Sequence, residues 1–355
     1  MKRDSTWFSF DTLKLQRLTA GLAGWVLLGL ILLLLAAEAL LRSPLADRFL
    51  PAPTIGREMR FPEVDVKFRR LEQMARRGEV NCFFFGSSMG DAGLDPVVFE
   101  AQLRSAGITD LHCFNFSVEA FMAETSADFA EFLVRQYHPR LVIFGTSALE
   151  YDAKRDARRG AGQTPWLAYR AGQFSWEGWL VDHSYLYRYL LALPKYRDPG
   201  FRQERQISER LVTASGFRSV QRVTQNPAGQ LDVLIDSYAL NLPDWVGLQR
   251  IAALRRTNTQ VIVLEMPVHP EFMPHYLPGG KQTYERDFAA PVAQYLAGED
   301  VLFLRTWPQL AAGLPANAWK DGWHLNADGA YALSSWLAGQ VAALQTAGKI
   351  SVSGQ

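Results

Sequence analysis

Cys82-Phe83-Phe84-Phe85-Gly86-Ser87-Ser88-Met89-Gly90-Asp91 opens as an unbroken apolar run and closes in small and polar residues. A short apolar run bounded by turn formers reads as a buried strand, and the switch at Gly86 marks where the chain leaves the sheet. Outward from this stretch the same grammar repeats. Strands are expected at residues 81–85, 111–116, 140–144, 260–265 and 301–304. Helical patterns fit between and after them, at 96–106, 123–136, 245–256, 284–296 and 327–344. Strands alternating with helices imply a parallel sheet covered on both faces. In such sheets ligands collect at the carboxyl ends of the strands, so the residues just after each strand carry the functional expectation.

The expected fold class is therefore α/β, a doubly wound, flavodoxin-like parallel sheet of five strands with helices on both faces. One N-terminal transmembrane helix precedes it. That helix is the leucine-rich, uncharged run from Leu18 to Ala37, which at about 1.5 Å per residue spans a hydrocarbon core of roughly 30 Å. Lys2, Arg3, Lys14 and Arg17 outweigh Asp4 and Asp11 on its N-terminal side, while Arg42 and Arg48 beyond it sit among Glu38 and Asp47. This asymmetry places the N-terminus in the cytoplasm and the body outside it. Ala37-Glu38-Ala39 also resembles a signal-peptidase site, but the apolar run exceeds the usual signal length and favours an uncleaved anchor.

The expected organisation is a cytoplasmic N-terminus at 1–17, an anchor at 18–42, a linker at 43–60, an α/β domain at 61–348 and a polar tail at 349–355. Pro44, Pro51, Pro53 and Gly56 suit an extended tether. The chain has 355 residues, a net charge of +1 and 48% apolar residues, so neither nucleic-acid binding nor disorder is expected. The two cysteines, Cys82 and Cys113, lie in strand-like runs. Neighbouring parallel strands rarely offer good bridging geometry, so two free buried thiols are expected over a disulfide.

Roughly a hundred residues, from Ala148 to Leu242, separate the third strand from the fourth, far more than a crossover needs. Their first half is rich in aromatics, including Trp166, Tyr169, Phe174, Trp176, Trp179 and Tyr185. Two readings stand: a helical subdomain packed on its own rings, or a lid or docking surface for a glycan or membrane partner.

A serine on a tight strand-to-helix turn exposes its hydroxyl beside free backbone amides, where negative charge can develop. Alone, Gly86-Ser87-Ser88 is more often a capping turn. The far end of the chain alters this, for Asp321-Gly322-Trp323-His324 precedes the last helical pattern. Asp-x-x-His spacing lets the carboxylate hold one imidazole nitrogen while the other faces a nucleophile. Ser88, Asp321 and His324 are thus the candidate catalytic residues. His269, after the fourth strand, is a candidate substrate-binding residue, with a structural role as its alternative. No His-x-x-x-His or paired-cysteine spacing and no phosphate loop occurs, so neither metal nor cofactor is expected.

Over about residues 81–344, these blocks resemble the SGNH, or GDSL-like, hydrolase superfamily, and within it the membrane-anchored branch that assists extracellular polymer acylation. The nucleophile block, usually Gly-Asp-Ser, stands here as Gly86-Ser87-Ser88, and the resemblance assigns attack to Ser88. The second block, Asn-x-Gly, stands as Asn115-Phe116-Ser117, which implies an oxyanion role for the Ser117 amide and a substrate contact for Asn115. The third, Gly-x-Asn, stands as Gly145-Thr146-Ser147, so Ser147 replaces an amide donor. The resemblance implies an esterase or O-acyltransferase acting on acyl, above all acetyl, esters of a cell-surface glycan, with a membrane-bound O-acyltransferase as partner. A retained but non-catalytic accessory scaffold is the competing reading.

Overall fold

The computed structural model describes residues 9–56, 61–78, 80–151, 164–221, 245–277 and 279–352. The ends of the expected tether and tail, residues 152–163 and 222–242 of the expected insertion, and Lys2, Arg3 and Asp4 lie outside these. Helix α1 (Ser9–Leu41) is followed by α2 (Pro44–Phe49) and α3 (Pro62–Ala75). Strand β1 (Cys82–Gly86) leads into α4 (Ser88–Gly93) and α5 (Pro96–Ser105), then β2 (Cys113–Asn115), α6 (Ala123–Tyr137) and β3 (Leu141–Thr146). The insertion holds α7 (Pro165–Arg170), α8 (Trp176–His183), α9 (Tyr185–Ala192) and α10 (Pro199–Leu211). Next come α11 (Trp245–Ala253), β4 (Gln260–Glu265), α12 (Met273–Tyr276), α13 (Gly280–Tyr284), α14 (Ala290–Gly298) and β5 (Leu302–Leu304). The chain then forms α15 (Gln309–Gly313) and α16 (Ala327–Thr346).

All five strands are parallel, in the order β2-β1-β3-β4-β5. The chain moves one way from β1 to β2 and the other way from β2 through β5. Right-handed crossovers therefore put α5 on one face and α6, α11 and α14 on the opposite face. Helix α16 returns to pack on α5. The direction reverses between β1 and β3, which makes the carboxyl end of β1 the place where a ligand crevice opens. Phe83, Phe84 and Phe85 are fully buried because this central strand is covered on both sides.

Two expectations are corrected. Cys82 and Cys113 are bonded to each other, not free. They are register partners on β1 and β2 with Cα atoms 4.3 Å apart, near enough to bridge despite the parallel pairing. Closing a separation of 31 residues contributes roughly 3–4 kcal/mol in the chain-entropy account. The stretch after α1 is not an extended tether. It forms α2, and Ala52, Thr54 and Ile55 are buried. Its carbonyls are taken up by basic side chains from elsewhere: Arg69 on Leu50, Arg205 on Ala52 and Arg188 on Thr54. A proline-rich strip lacks the donors to pair with itself, so it satisfies its carbonyls on neighbours once it is buried.

The insertion is anchored to the core by Trp166, whose ring centroid lies 5.1 Å from Phe68 and 5.0 Å from Phe132. On denatured, unreduced protein a thiol titration should find no free thiol, and after reduction two. Finding two before reduction would remove the disulfide.

Candidate active site

The strand-to-helix turn after β1 is built for close approach. Gly86 has φ of +151°, and a Cβ there would lie 2.5 Å from the Gly145 carbonyl oxygen. Only glycine fits, and the pinch lets the chain turn at once into α4. Ser88 is the first residue of that helix, partly exposed, where the leading backbone amides have no partner within the helix.

Opposite it, Trp319 and Leu325 bridge antiparallel, and Lys320 N–H donates to the His324 carbonyl at 2.9 Å. This closes residues 319–325 into a tight hairpin. Asn326 caps α16, accepting from the Asp328 and Gly329 amides at 3.0 and 3.1 Å while donating to the Asn317 carbonyl. Within the hairpin Asp321 Oδ1 accepts from the amides of Trp323 and His324 at 3.1 and 2.8 Å. The carboxylate is thereby locked before it meets the imidazole.

His324 Nδ1 lies 2.8 Å from Asp321 Oδ2 and 2.9 Å from Oδ1, and its Nε2 lies 2.8 Å from Ser88 Oγ. Burial pushes the Asp321 carboxyl up, but the hydrogen bonds from the His324 ring and the two amides outweigh it and hold it below the ordinary range. An ionised Asp321 only accepts, so Nδ1 carries the proton and Nε2 is left to accept from the Ser88 hydroxyl. The three residues, 236 positions apart at the extremes of the domain, are brought into one line of hydrogen bonds.

The other expected site residues are placed differently. Asn115 is fully buried and does not face a ligand: Nδ2 donates to the Gly90 and Leu94 carbonyls at 2.9 and 2.7 Å. It satisfies one carbonyl within α4 and one just after its end, and so positions the serine helix. Its Oδ1 accepts from the Ser117 amide at 2.9 Å, so the amide expected in the oxyanion hole is already committed. The Ser117 hydroxyl is buried without a partner, packed where a Cβ on Gly90 would come within 2.7 Å. Ser147 is buried just beyond β3, and its carbonyl accepts from the Glu150 amide. His269 donates its backbone N–H to the Gly322 carbonyl at 2.9 Å, and its Nδ1 accepts from the Glu271 amide. Partial burial lowers its pKa. It braces the hairpin of Asp321 and His324.

Two buried groups escape a reading of the sequence. Lys67 of α3 is wholly buried, with Nζ 2.6 Å from Asp91 Oδ1 and also donating to the Ser117 carbonyl. It ties α4 to the end of β2, and Arg218 of the insertion extends the cluster to Glu63 and Glu119. Glu150, fully buried beside Thr146, is pushed up to about 8 by desolvation, against the opposing pull of Ser87 and Thr146. A lone Lys or Glu in a helical pattern carries no sign of such burial.

Neither a family model nor a curated protein matches the sequence. Among solved structures, the lipase/acylhydrolase from Enterococcus faecalis is similar at 11% identity and TM-score 0.40, covering 78% of this chain and 100% of that one. The psychrotrophic esterase EstA from Pseudoalteromonas sp. is similar at 13% identity and TM-score 0.39, covering 76% and 99%. A putative acylhydrolase from Bacteroides fragilis follows at 11% identity and TM-score 0.38, covering 78% and 96%. Overlap of this degree assigns no activity or substrate, and the chemistry rests on the geometry of Ser88, His324 and Asp321.

Because the raised group is Glu150, the sign of its pH effect is fixed. The folded state binds its proton more tightly, so stability is full below the ordinary value of 4.5 and falls as pH rises towards about 8. Glu150→Gln should therefore gain melting temperature over the parent as pH climbs through that window, with a constant gain above it. A gain that does not change with pH would mean the native carboxyl is ionised throughout.

Proposed function

We propose that the chain is a membrane-anchored serine esterase or O-acyltransferase of SGNH type, its body outside the cytoplasm, acting on acyl esters of a cell-surface glycan. The observation that carries the catalytic part is the continuous relay from Ser88 Oγ through His324 to Asp321, with 2.8 Å at each ring nitrogen. In this reading His324 Nε2 takes the Ser88 proton as Oγ attacks the acyl carbonyl. Asp321 stabilises the imidazolium that forms. His324 then returns the proton to the leaving alcohol, and an acyl-Ser88 remains. A glycan hydroxyl or water, deprotonated by His324, attacks this ester and restores Ser88.

The oxyanion is held by the Ser88 amide at the start of α4, with Ser147 as a second donor. Each such donor is worth about a hundred- to a thousandfold in rate. With the Ser117 amide engaged by Asn115, the hole is leaner than in the family pattern. The acyltransferase branch of the superfamily tolerates such departures, so the resemblance favours transfer to a bound alcohol over fast hydrolysis, and a membrane-bound O-acyltransferase supplying acyl groups suits it as a partner.

Two observations support the topology. Residues 22–41 of α1 have mean hydropathy 2.4 and are not buried against the protein, long and apolar enough to cross a membrane. The Cys82–Cys113 disulfide suits an oxidising compartment.

A fluorophosphonate probe should label the parent and Ser87→Ala but not Ser88→Ala. An unlabelled parent, under conditions where an SGNH esterase reacts, would leave the accessory-scaffold reading. Asp321→Asn should retain the fold yet lower p-nitrophenyl acetate turnover by about 10³–10⁴, by loss of the correct tautomer. A loss under tenfold would put the relay elsewhere.

A further inference from the structure

Large apolar side chains are exposed on this protein in one region. Outside α1, and apart from Val97, Val246 and Tyr331, all those exposed among the described residues fall within 45–50 or 174–193. Both segments adjoin the carboxyl end of the anchor. Glu38 on α1 accepts from the Ser184 hydroxyl at 2.9 Å and from the Tyr185 and Leu186 amides at 2.8 and 3.0 Å, capping α9. Arg42 donates to the His183 carbonyl and lies 5.1 Å from the Tyr185 ring centroid. The insertion is thus clamped onto the last turn of α1 by directional bonds, so their faces keep a fixed relation.

Helix α9 is apolar on its buried side, through Tyr185, Leu191 and Ala192, and on its exposed side as well. Arg188 turns inward to the Thr54 carbonyl and Glu72, while Leu190 and Leu193 are 53% and 59% exposed. Before it, Trp176 is 72% exposed and in edge contact with Phe174 and Trp179. On the other flank Phe49 of α2 is 70% exposed. Water disfavours such a patch, whereas tryptophan and leucine on short amphipathic elements suit the boundary between headgroups and acyl chains. Glu38 on α1 and Arg42 just after it mark that boundary, since they end the uncharged run.

We propose that α2, α8 and α9 form a collar that docks on the bilayer entered by α1, with Phe49, Trp176, Leu190 and Leu193 dipping into its interfacial layer. The collar holds the body against the membrane surface in place of letting it swing on a tether. This proposal rests on reading α1 as an anchor, and the test separates the two.

The full chain is reconstituted in phosphatidylcholine–phosphatidylglycerol nanodiscs, with single nitroxide labels at Leu30→Cys, Phe49→Cys, Trp176→Cys, Leu193→Cys and Tyr331→Cys. Accessibility to oxygen and to a water-soluble nickel chelate is then compared. Positions 49, 176 and 193 should favour oxygen, between the deep value at 30 and the aqueous value at 331. If 49, 176 and 193 match 331 while 30 reads as lipid, the anchor stands and the collar is overturned. Shielding of the three from both probes also overturns it and indicates a protein partner. A water-like value at 30 removes the anchor and the collar together.

Discussion

A buried ammonium cannot stand alone, and Lys67 is wholly buried. Its partners are Asp91, three residues after Ser88, Glu63 one turn back on its own helix, and the carbonyl of Ser117 just beyond β2. One side chain from α3 thereby joins the serine helix to the neighbouring strand. Removing one member of such a buried pair costs about 3–5 kcal/mol, because the other is left charged and unsolvated. Asn115 repeats the same link with uncharged bonds, from the β2 end to the Gly90 and Leu94 carbonyls. The position of Ser88 is therefore set by the contacts that α4 makes with Lys67 and Asn115.

The histidine side of the site is held by a different device. Residues 319–325 make their own hairpin, and Asp321 is fixed by amides two and three positions ahead. This half is local, assembled within one turn of chain and braced by the His269 backbone on Gly322. Its counterpart is not local at all. The two halves meet because β1 is central and α16 packs back on α4 and α5, which carries the hairpin over the crevice.

The insertion serves both ends of the molecule. Trp166 buries itself against Phe68 and Phe132, Arg218 reaches the Lys67 cluster, and the Ser215 carbonyl accepts from the Asn115 amide. Farther along its surface the rings turn outward beside the carboxyl end of α1. Inward-packed and outward-exposed rings are thus features of one segment, divided between neighbouring helices.

Much of this was legible in the residues themselves. The parallel sheet follows from apolar runs of strand length separated by helical periodicity, and every strand begins within two residues of the expected place. The Ser and Asp-x-x-His blocks were legible for the same reason: the hairpin chemistry and the glycine turn are written in consecutive residues. Helix α3 was not foreseen, because its pattern carries Glu63, Asp65, Lys67 and Arg69, all charged and all buried. Burial of a charge depends on partners that come from other elements, and no local periodicity records them. The same holds for the disulfide, which required the register of β1 on β2, and for Asn115, whose amide is spent on α4. Residue type and spacing determined which groups have the chemistry to form a relay. Only tertiary packing decided which of them face the crevice, because orientation depends on what stands on the other side.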